Sequence, residues 1–190
     1  MADAGRVIAG RARGIRLAGP GEGTRPMGDR VKQTLFAILE PDLPDAAFLD
    51  LFAGSGAAGI EALSRGAASA TFVERDGAAI KVIGANLERT RLGGTAARLV
   101  NEDAVRWLGS PHRAGEGPWD VAVADPPYDR PELLVAALTA LGPLLAPGGR
   151  AVAKHASQAP PPPRIGLLAS ERERRFGETT LTFYRRVEDR

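Results

Sequence analysis

The chain has no cysteine among its 190 residues, and its two histidines, His112 and His155, lie far apart. The absence of cysteine excludes disulfides, thiolate nucleophiles and zinc–thiolate centres. Its apolar runs are shorter than a membrane-spanning helix needs, and its N-terminus lacks the apolar core of a signal peptide. We therefore expect a cytoplasmic protein with no metal and no membrane partner, and a monomer because no oligomer interface is evident.

Lysine is also scarce, since only Lys32, Lys81 and Lys154 accompany 22 arginines among the 25 basic residues. The net charge is +2 for the whole chain but +4 for residues 1–33. Arginine presents a planar fork that suits phosphate oxygens, and it stacks on bases. A coding bias towards arginine is an alternative explanation for the number of arginines in the chain. It does not explain their concentration near the N-terminus. That segment is a candidate for nucleic-acid binding.

The pattern of apolar residues divides the chain into an N-terminal extension, residues 1–40, and a main domain, residues 41–190. Residues 6–17 predict two short strands around a glycine turn, and Asp29 is predicted to cap a helix that follows. From residue 46 onwards continuous apolar strands alternate with helices, which predicts a parallel sheet covered on both faces. Residues 164–187 predict an antiparallel hairpin that closes this sheet.

A glycine-rich turn between the first strand and the first helix of the main domain indicates a cofactor site. Gly54, Gly56 and Gly59 have the G-x-G-x-x-G spacing, which exposes backbone donors and permits close approach of a nucleotide-like group. Glu74 ends the next strand, where a carboxylate can accept both hydroxyls of a ribose. Asp103 follows the third strand, in a place to meet the amino group of an adenine. NAD and S-adenosylmethionine both fit these residues.

Asp50, in the strand before the glycine turn, favours one of these two cofactors. A carboxylate there would repel the pyrophosphate of a dinucleotide. It suits the amino group of a methionine moiety and helps to offset a sulfonium charge. The sequence therefore favours S-adenosylmethionine.

The stretch Asp125-Pro126-Pro127-Tyr128 follows an apolar strand and predicts a methyl-acceptor site. Asp125 and the carbonyl of Pro126 can accept hydrogen bonds from an exocyclic amine and place its nitrogen against a methyl donor. The prolines fix the turn and remove competing backbone donors. Tyr128 offers a ring on which a base pulled out of its strand can stack. The alternative is a rigid turn carrying a solvated acid.

These motifs, "DLFAGSG", Glu74, "NEDA" and "DPPY", resemble those of class I S-adenosylmethionine-dependent methyltransferases that modify exocyclic amines. The N-terminal "RVIAGRARGIRL…TRPMGDRVKQTLF" and the closing "FGETTLTFYRR" are similar to the RsmD family of guanine-N2 methyltransferases acting on 16S ribosomal RNA. The resemblance implies a Rossmann-like, seven-stranded sheet, mostly parallel with a C-terminal antiparallel hairpin, plus a small N-terminal hairpin and helix. It also implies S-adenosylmethionine as cofactor and 16S RNA in a small-subunit assembly intermediate as partner.

The resemblance assigns roles to three sets of residues. The catalytic motif is Asp125, Pro126, Pro127 and Tyr128. The cofactor site is Asp50, Phe52, Gly54, Ser55, Gly56, Glu74, Arg75, Asp103, Ala104 and Asp125. The RNA-binding set is Arg6, Arg11, Arg13, Arg16, Arg25 and Arg30.

The chain departs from the family at two positions: Met27 stands where threonine is usual, and His155 lies near a usual glutamate. We expect both histidines at the surface, and Trp107 and Trp119 in packing roles. Three other functions remain open on the sequence alone. They are an adenine-N6 methyltransferase acting on DNA or RNA, a non-enzymatic RNA-binding assembly factor, and an NAD-dependent oxidoreductase.

Overall fold

A computed structural model describes residues 2–21, 27–111 and 116–188. Its strands are β1 (Ala2–Arg6), β2 (Arg16–Gly19), β3 (Ala47–Leu51), β4 (Ser69–Val73), β5 (Ala97–Val100), β6 (Trp119–Ala124), β7 (Leu145–Ala156), β8 (Arg164–Ile165), β9 (Leu168–Phe176) and β10 (Thr179–Arg186). Its α-helices are α1 (Asp29–Leu39), α2 (Ala57–Ser64), α3 (Gly77–Thr90), α4 (Ala104–Leu108) and α5 (Pro131–Leu141).

The main sheet has eight strands in the order β5-β4-β3-β6-β7-β10-β9-β8. The pairs from β5 to β7 are parallel, and the C-terminal strands β8, β9 and β10 are antiparallel to their neighbours. The predicted fold class is therefore confirmed. The eighth strand, the two-residue β8, was not predicted.

Both faces of this sheet are covered, as the continuous apolar strands indicate. On one face α1, α2 and α3 pack on side chains such as Phe48, Phe72 and Val123. On the other face α4 and α5 cover side chains such as Leu49, Ala122 and Tyr184. Helix α1 contributes to the first of these cores, where the ring of Phe36 stacks 6.2 Å from that of Phe48.

The N-terminal hairpin differs from its predicted boundaries. Strands β1 and β2 pair at residues 2–6 and 16–19, while residues 7–15 form turns that dock on α2. The backbone N–H groups of Ile8 and Ala9 donate to the Glu61 carboxylate at 2.7 and 3.0 Å. Because these donors bond to a helix distant in sequence, local alternation could not place the strands correctly. Asp29 begins α1 but makes no capping hydrogen bond, so its predicted capping role is wrong.

His155 is buried, which corrects its predicted surface position. It is 5% exposed, and its Nε2 lies 2.8 Å from the Thr182 hydroxyl on β10. Strand β7 lies between β6 and β10, so both of its edges are paired, and the His155 ring bonds to a side chain of the neighbouring strand. His112 lies outside the described residues. The packing roles of Trp107 and Trp119 are confirmed, since both are buried with ring centroids 5.6 Å apart.

Among the described residues there is no helix both long enough and apolar enough to span a membrane.

Candidate active site

Three carboxyl groups meet at the edge of the sheet where the parallel strands end. Asp50 belongs to β3, Glu74 follows β4, and Asp125 follows β6, and these three strands are adjacent. Ligands of open α/β sheets bind at this edge. The sequence predicted these residues separately, and the topology brings them together. Three converging acids make the site suited to a cationic ligand.

Asp50 is almost fully buried, at 3% exposure, and its Oδ2 accepts a hydrogen bond from the Gly59 N–H at 2.8 Å. Burial raises the pKa of Asp50 to about 8. The Gly59 N–H opposes this shift, and the nearby carboxyls of Asp125 and Glu74 add to it. A bound cation would favour the ionised form of Asp50, which is the form that the site otherwise disfavours.

The glycine turn joins β3 to α2 and holds the helix against the sheet. A Cβ on Gly59 would lie 2.3 Å from the ring of Phe72, so only glycine allows α2 to approach this closely. A Cβ on Gly54 would meet nothing nearer than 4.0 Å, which leaves open space beside the turn. Phe52 has φ of 60°, a strained backbone conformation for a residue of this size. Gly56 is the residue before α2.

Glu74 accepts hydrogen bonds at both of its carboxylate oxygens, and one of these bonds comes from the glycine turn. Oε2 accepts from the Gly54 N–H and Oε1 from the Asp76 N–H, each at 2.9 Å. These contacts fix the carboxylate while leaving lone pairs for further donors. Arg75 is exposed, and its carbonyl accepts from the Asn101 side chain at 3.0 Å.

Asp103 sits after β5 and caps α4, where its Oδ1 accepts from the Arg106 N–H at 3.0 Å. Ala104, the first residue of α4, is buried. The capping bond employs one oxygen of Asp103 and leaves the other available to a ligand amine.

Lys154 contacts the predicted acceptor site and was missed by sequence reasoning. Its Nζ lies 2.6 Å from Asp125 Oδ1 and 4.9 Å from the centre of the Tyr128 ring. The side chains of Lys154 and Asp125 are 9% and 22% exposed, so this ion pair is largely shielded from water. The available signal was a lysine within the otherwise apolar strand "AVAKHA".

Burial raises the pKa of Asp125, and the adjacent Lys154 ammonium opposes that shift. Burial alone would lower the pKa of Lys154, but the Asp125 carboxylate raises it above its usual value. The Lys154 ammonium therefore favours the ionised form of Asp125, which is the form best able to accept a hydrogen bond.

The two prolines and Tyr128 complete this acceptor site. Pro126 is buried, and its carbonyl has no hydrogen-bond partner within the described part of the chain. Pro127 is exposed, and its carbonyl accepts from the Arg130 N–H at 3.2 Å. The Tyr128 hydroxyl lies 2.9 Å from the Thr179 hydroxyl on β10, which fixes the plane of the ring. Asp125 and the Pro126 carbonyl thus form a pair of acceptors.

Asn86, also missed, links the glycine turn to the N-terminal hairpin. Its side-chain amide is fully buried. It accepts from the Ala18 N–H at 2.9 Å and donates to the carbonyls of Ala18 and Ser55 at 2.9 and 3.0 Å. A single side chain on α3 thereby connects β2 to the candidate cofactor turn.

Some of the arginines predicted to bind RNA contact other groups of the chain, and others are exposed. Arg6 and Arg16 are 58% and 74% exposed and pair with Asp29 and Asp3 respectively. Arg11 donates to the Leu63 carbonyl at 3.2 Å.

Arg13 and Arg30 are exposed. Arg25 lies outside the described residues. Met27, at the departure from the family pattern, is buried in the core.

The described residues contain no group of three or more histidine, cysteine, aspartate or glutamate side chains that could hold a metal ion.

This sheet order, with the glycine turn after β3, is the class I methyltransferase fold, which solved methyltransferase structures share with this chain. The family model described as "Conserved hypothetical protein 95" matches residues 5–185. The chain belongs to this family, and the resemblance inferred from the sequence is confirmed.

Named relatives agree with this assignment. Ribosomal RNA small subunit methyltransferase D of Escherichia coli K12 is 44% identical over 129 residues, which cover 66% of this chain and 61% of that protein. The chain thus spans less than two thirds of that relative. YlbH of Bacillus subtilis, named as a proposed rRNA methyltransferase, is 36% identical over 95% of this chain and 98% of its own length. A solved structure from Escherichia coli, named as the proposed methyltransferase yhhF, is 35% identical to this chain and has a TM-score of 0.82. The match covers 95% of this chain and 97% of that one.

Proposed function

We propose that the protein transfers a methyl group from S-adenosylmethionine to the exocyclic N2 amine of a guanine in 16S ribosomal RNA. The observation that carries this proposal is the acceptor pair at the end of β6. Asp125 is a shielded carboxylate paired with Lys154 at 2.6 Å, and the Pro126 carbonyl beside it has no partner within the described residues. The names of the rRNA methyltransferase relatives support the substrate class.

The residues around the glycine turn fit S-adenosylmethionine. Asp50 would meet the ammonium or offset the sulfonium, Glu74 would accept from the ribose hydroxyls, and Asp103 would accept from the adenine amine. The space beside Gly54 admits the cofactor backbone. When bound, the cofactor supplies a methyl carbon on a sulfonium, and the electrons of the broken carbon–sulfur bond leave with the neutral thioether.

The chain's own residues prepare the attacking nitrogen. The lone pair of an exocyclic amine is delocalised into its ring, which makes it a weak nucleophile. Hydrogen bonds from the amine to Asp125 and the Pro126 carbonyl localise that lone pair and aim it at the methyl carbon. As the nitrogen–carbon bond forms, the nitrogen loses a proton, and Asp125 is placed to accept it.

A carboxylate at position 125 also favours guanine over adenine. Asp125 has a second carboxylate oxygen, and guanine presents its N1–H donor to that oxygen beside the N2 amine. Adenine presents a donor and the N1 lone pair, which would face a carboxylate oxygen unfavourably. The Lys154 ammonium lies over the Tyr128 ring and pairs with the Asp125 carboxylate. The target base is expected in the same place, so it must displace the ammonium.

The surroundings of the reaction follow from the same proposal. The partner is 16S RNA, in a small-subunit assembly intermediate, and the arginines of residues 1–40 bind its phosphates. The protein acts in the cytoplasm, where its substrate is assembled, and it acts as a monomer. Residues 41–190 form the methyltransferase domain.

A methyl-transfer assay tests the proposal directly. Purified protein with methyl-labelled S-adenosylmethionine is given 16S RNA, 30S particles, or duplex DNA. Label is expected in the RNA or the particle. Asp125→Ala should lower kcat by about 10²- to 10⁴-fold, because both an acceptor and a base are lost. Asp129→Ala, an exposed acid four residues later, is the matched control and should retain activity.

The outcomes separate the rival functions. Label in duplex DNA, or in adenine of the RNA, would favour the adenine-N6 methyltransferase. No label with any substrate, together with tight RNA binding, would favour the non-enzymatic assembly factor.

A further inference from the structure

A groove of about 960 Å³ lies outside the active site, between the exposed side of α1 and the strands β7, β10 and β9. Gln33 and Thr34 line it from the helix, and Arg150, Arg172, Arg174 and Arg185 line it from the sheet. We call it the arginine groove. The candidate RNA-binding residues near the N-terminus do not line it.

The strand register explains why these arginines share one face. Arg172 is paired with Phe183 and Arg174 with Leu181 across β9 and β10. Directly paired residues point to the same side of a sheet. Phe183 and Leu181 belong to the core beneath α1. The exposed Arg172 and Arg174 on β9 therefore lie on the face of the sheet that α1 covers, beyond the edge of that helix.

The groove has more positive than negative charge. Two acids, Asp42 and Glu171, line it with the four arginines, which leaves a net charge of +2. Arg150 pairs with both acids, and Arg185 pairs with Glu171. Within the described part of the chain neither Arg172 nor Arg174 forms an ion pair. Arg174 donates only to the backbone carbonyl of Glu173, at 2.8 Å.

The groove lies close to the predicted acceptor site in the sheet. Lys154 on β7 is paired with Leu181 on β10, which is paired with Arg174 on β9. These three residues form one row across the sheet, and two strand spacings separate its ends by about 10 Å. Lys154 contacts Asp125 at one end of the row. An RNA whose target base reaches Asp125 therefore has neighbouring phosphates within reach of Arg174.

We propose that the arginine groove binds the phosphate backbone of the RNA strand that carries the target base, with Arg172 and Arg174 as its free phosphate ligands. This inference rests on the proposed function. Guanidinium groups without carboxylate partners suit phosphate oxygens. The short distance to the predicted acceptor site favours the substrate strand over an acidic protein segment, because the phosphates beside the target base must lie near that site.

The test compares Arg172→Gln/Arg174→Gln with the control Arg164→Gln/Arg175→Gln. Both variants remove two charges from exposed residues of the same C-terminal strands, but Arg164 and Arg175 do not line the groove. Binding of in vitro transcribed 16S RNA and of 30S particles is measured over a range of salt concentrations, with methyl-transfer KM and kcat. Thermal melting checks that each variant is folded.

The groove variant should bind 16S RNA roughly tenfold more weakly than the control, with the slope of log affinity against log salt reduced by about 1.4. KM should rise while kcat changes little, since the reacting groups are intact. Weakened RNA binding in a protein that transfers no methyl group would still support the groove while refuting the proposed function.

Three results would overturn the inference. The groove variant could retain the control's affinity and salt slope. Its binding could weaken for 30S particles alone, which would indicate a protein partner. The unmodified protein could fail to bind 16S RNA at all.

Discussion

At the scale of single residues, the account depends on how burial and one lysine shift the pKa values of the candidate active-site acids. Asp125 carries the proposed chemistry, and Lys154 is the group that opposes the effect of burial on its pKa. Removal of Lys154 leaves a shielded carboxyl with no opposite charge beside it. Such a group binds a proton more readily.

Lys154→Met is therefore predicted to move the acidic limb of the kcat/KM profile to higher pH. The shift should be about 1–3 units, the usual effect of an opposite charge at this distance. Lys154→Arg keeps the charge and should leave the limb near its original position. Methyl-transfer rates measured from pH 5 to 9 check this. An unchanged limb in Lys154→Met would show that Lys154 does not control Asp125.

Asp50 predicts a pH dependence of stability. Its pKa is about 8 in the folded protein and near 3.8 when unfolded, so the folded form binds more protons between these values. The free energy of unfolding should consequently fall as pH rises from 4 to 8, by at most about 1.4 kcal/mol per pH unit for this group. Urea denaturation at several pH values measures the slope.

Asp50→Asn is the matched variant for this prediction. It keeps an oxygen for the Gly59 N–H but cannot ionise, so the slope due to this residue should disappear. Asp125 has a raised pKa as well and adds a slope of the same sign. Equal slopes in the original protein and in Asp50→Asn would contradict the assignment.

At the scale of elements, two buried polar side chains connect the N-terminal hairpin to the helices of the main domain. Glu61 on α2 accepts from Ile8 and Ala9, and Asn86 on α3 bonds to Ala18 and Ser55. The close docking on α2 requires glycine at position 10, because a Cβ there would lie 1.9 Å from the Ser64 carbonyl oxygen. The hairpin is thus attached to the elements that also shape the candidate cofactor turn.

Asn86→Ala is predicted to lower the free energy of unfolding by about 3 kcal/mol, because it leaves three buried backbone groups without partners. The same change should weaken S-adenosylmethionine binding, since Ser55 in the glycine turn loses its support. Denaturation and calorimetry measure the two effects. Asn101→Ala, an exposed amide that also bonds to backbone carbonyls, is the comparison and should cost less stability. Equal losses in both variants would contradict a special role for Asn86.

Sequence reasoning succeeded for elements whose pattern is local. The alternation of apolar strands and helices predicted the succession of elements along the chain from β3 to β7. Turn residues marked the hairpin of β9 and β10. It failed where distant residues decide the outcome. Ile8 and Ala9 donate their backbone N–H groups to Glu61 on α2, and His155 bonds to Thr182 on β10, the strand beside β7. Neither neighbour is visible in the local sequence.

At the scale of the whole molecule, the strand order brings together residues that the sequence shows only as separate motifs. Asp50, Glu74 and Asp125 could be predicted because each follows or ends an apolar strand. Lys154 could not, since its contact with Asp125 depends on β7 lying beside β6. The arginine groove likewise requires the pairing of β9 with β10, which places Arg172 and Arg174 beside α1.

The most direct measurement of the central claim is mass spectrometry of nucleosides from 16S RNA of the source cells, with and without this protein. The account predicts that N2-methylguanosine falls when the protein is removed, and that the original protein restores it while Asp125→Ala does not. An unchanged level of N2-methylguanosine, with loss of a different methylated nucleoside or of none, would contradict the account.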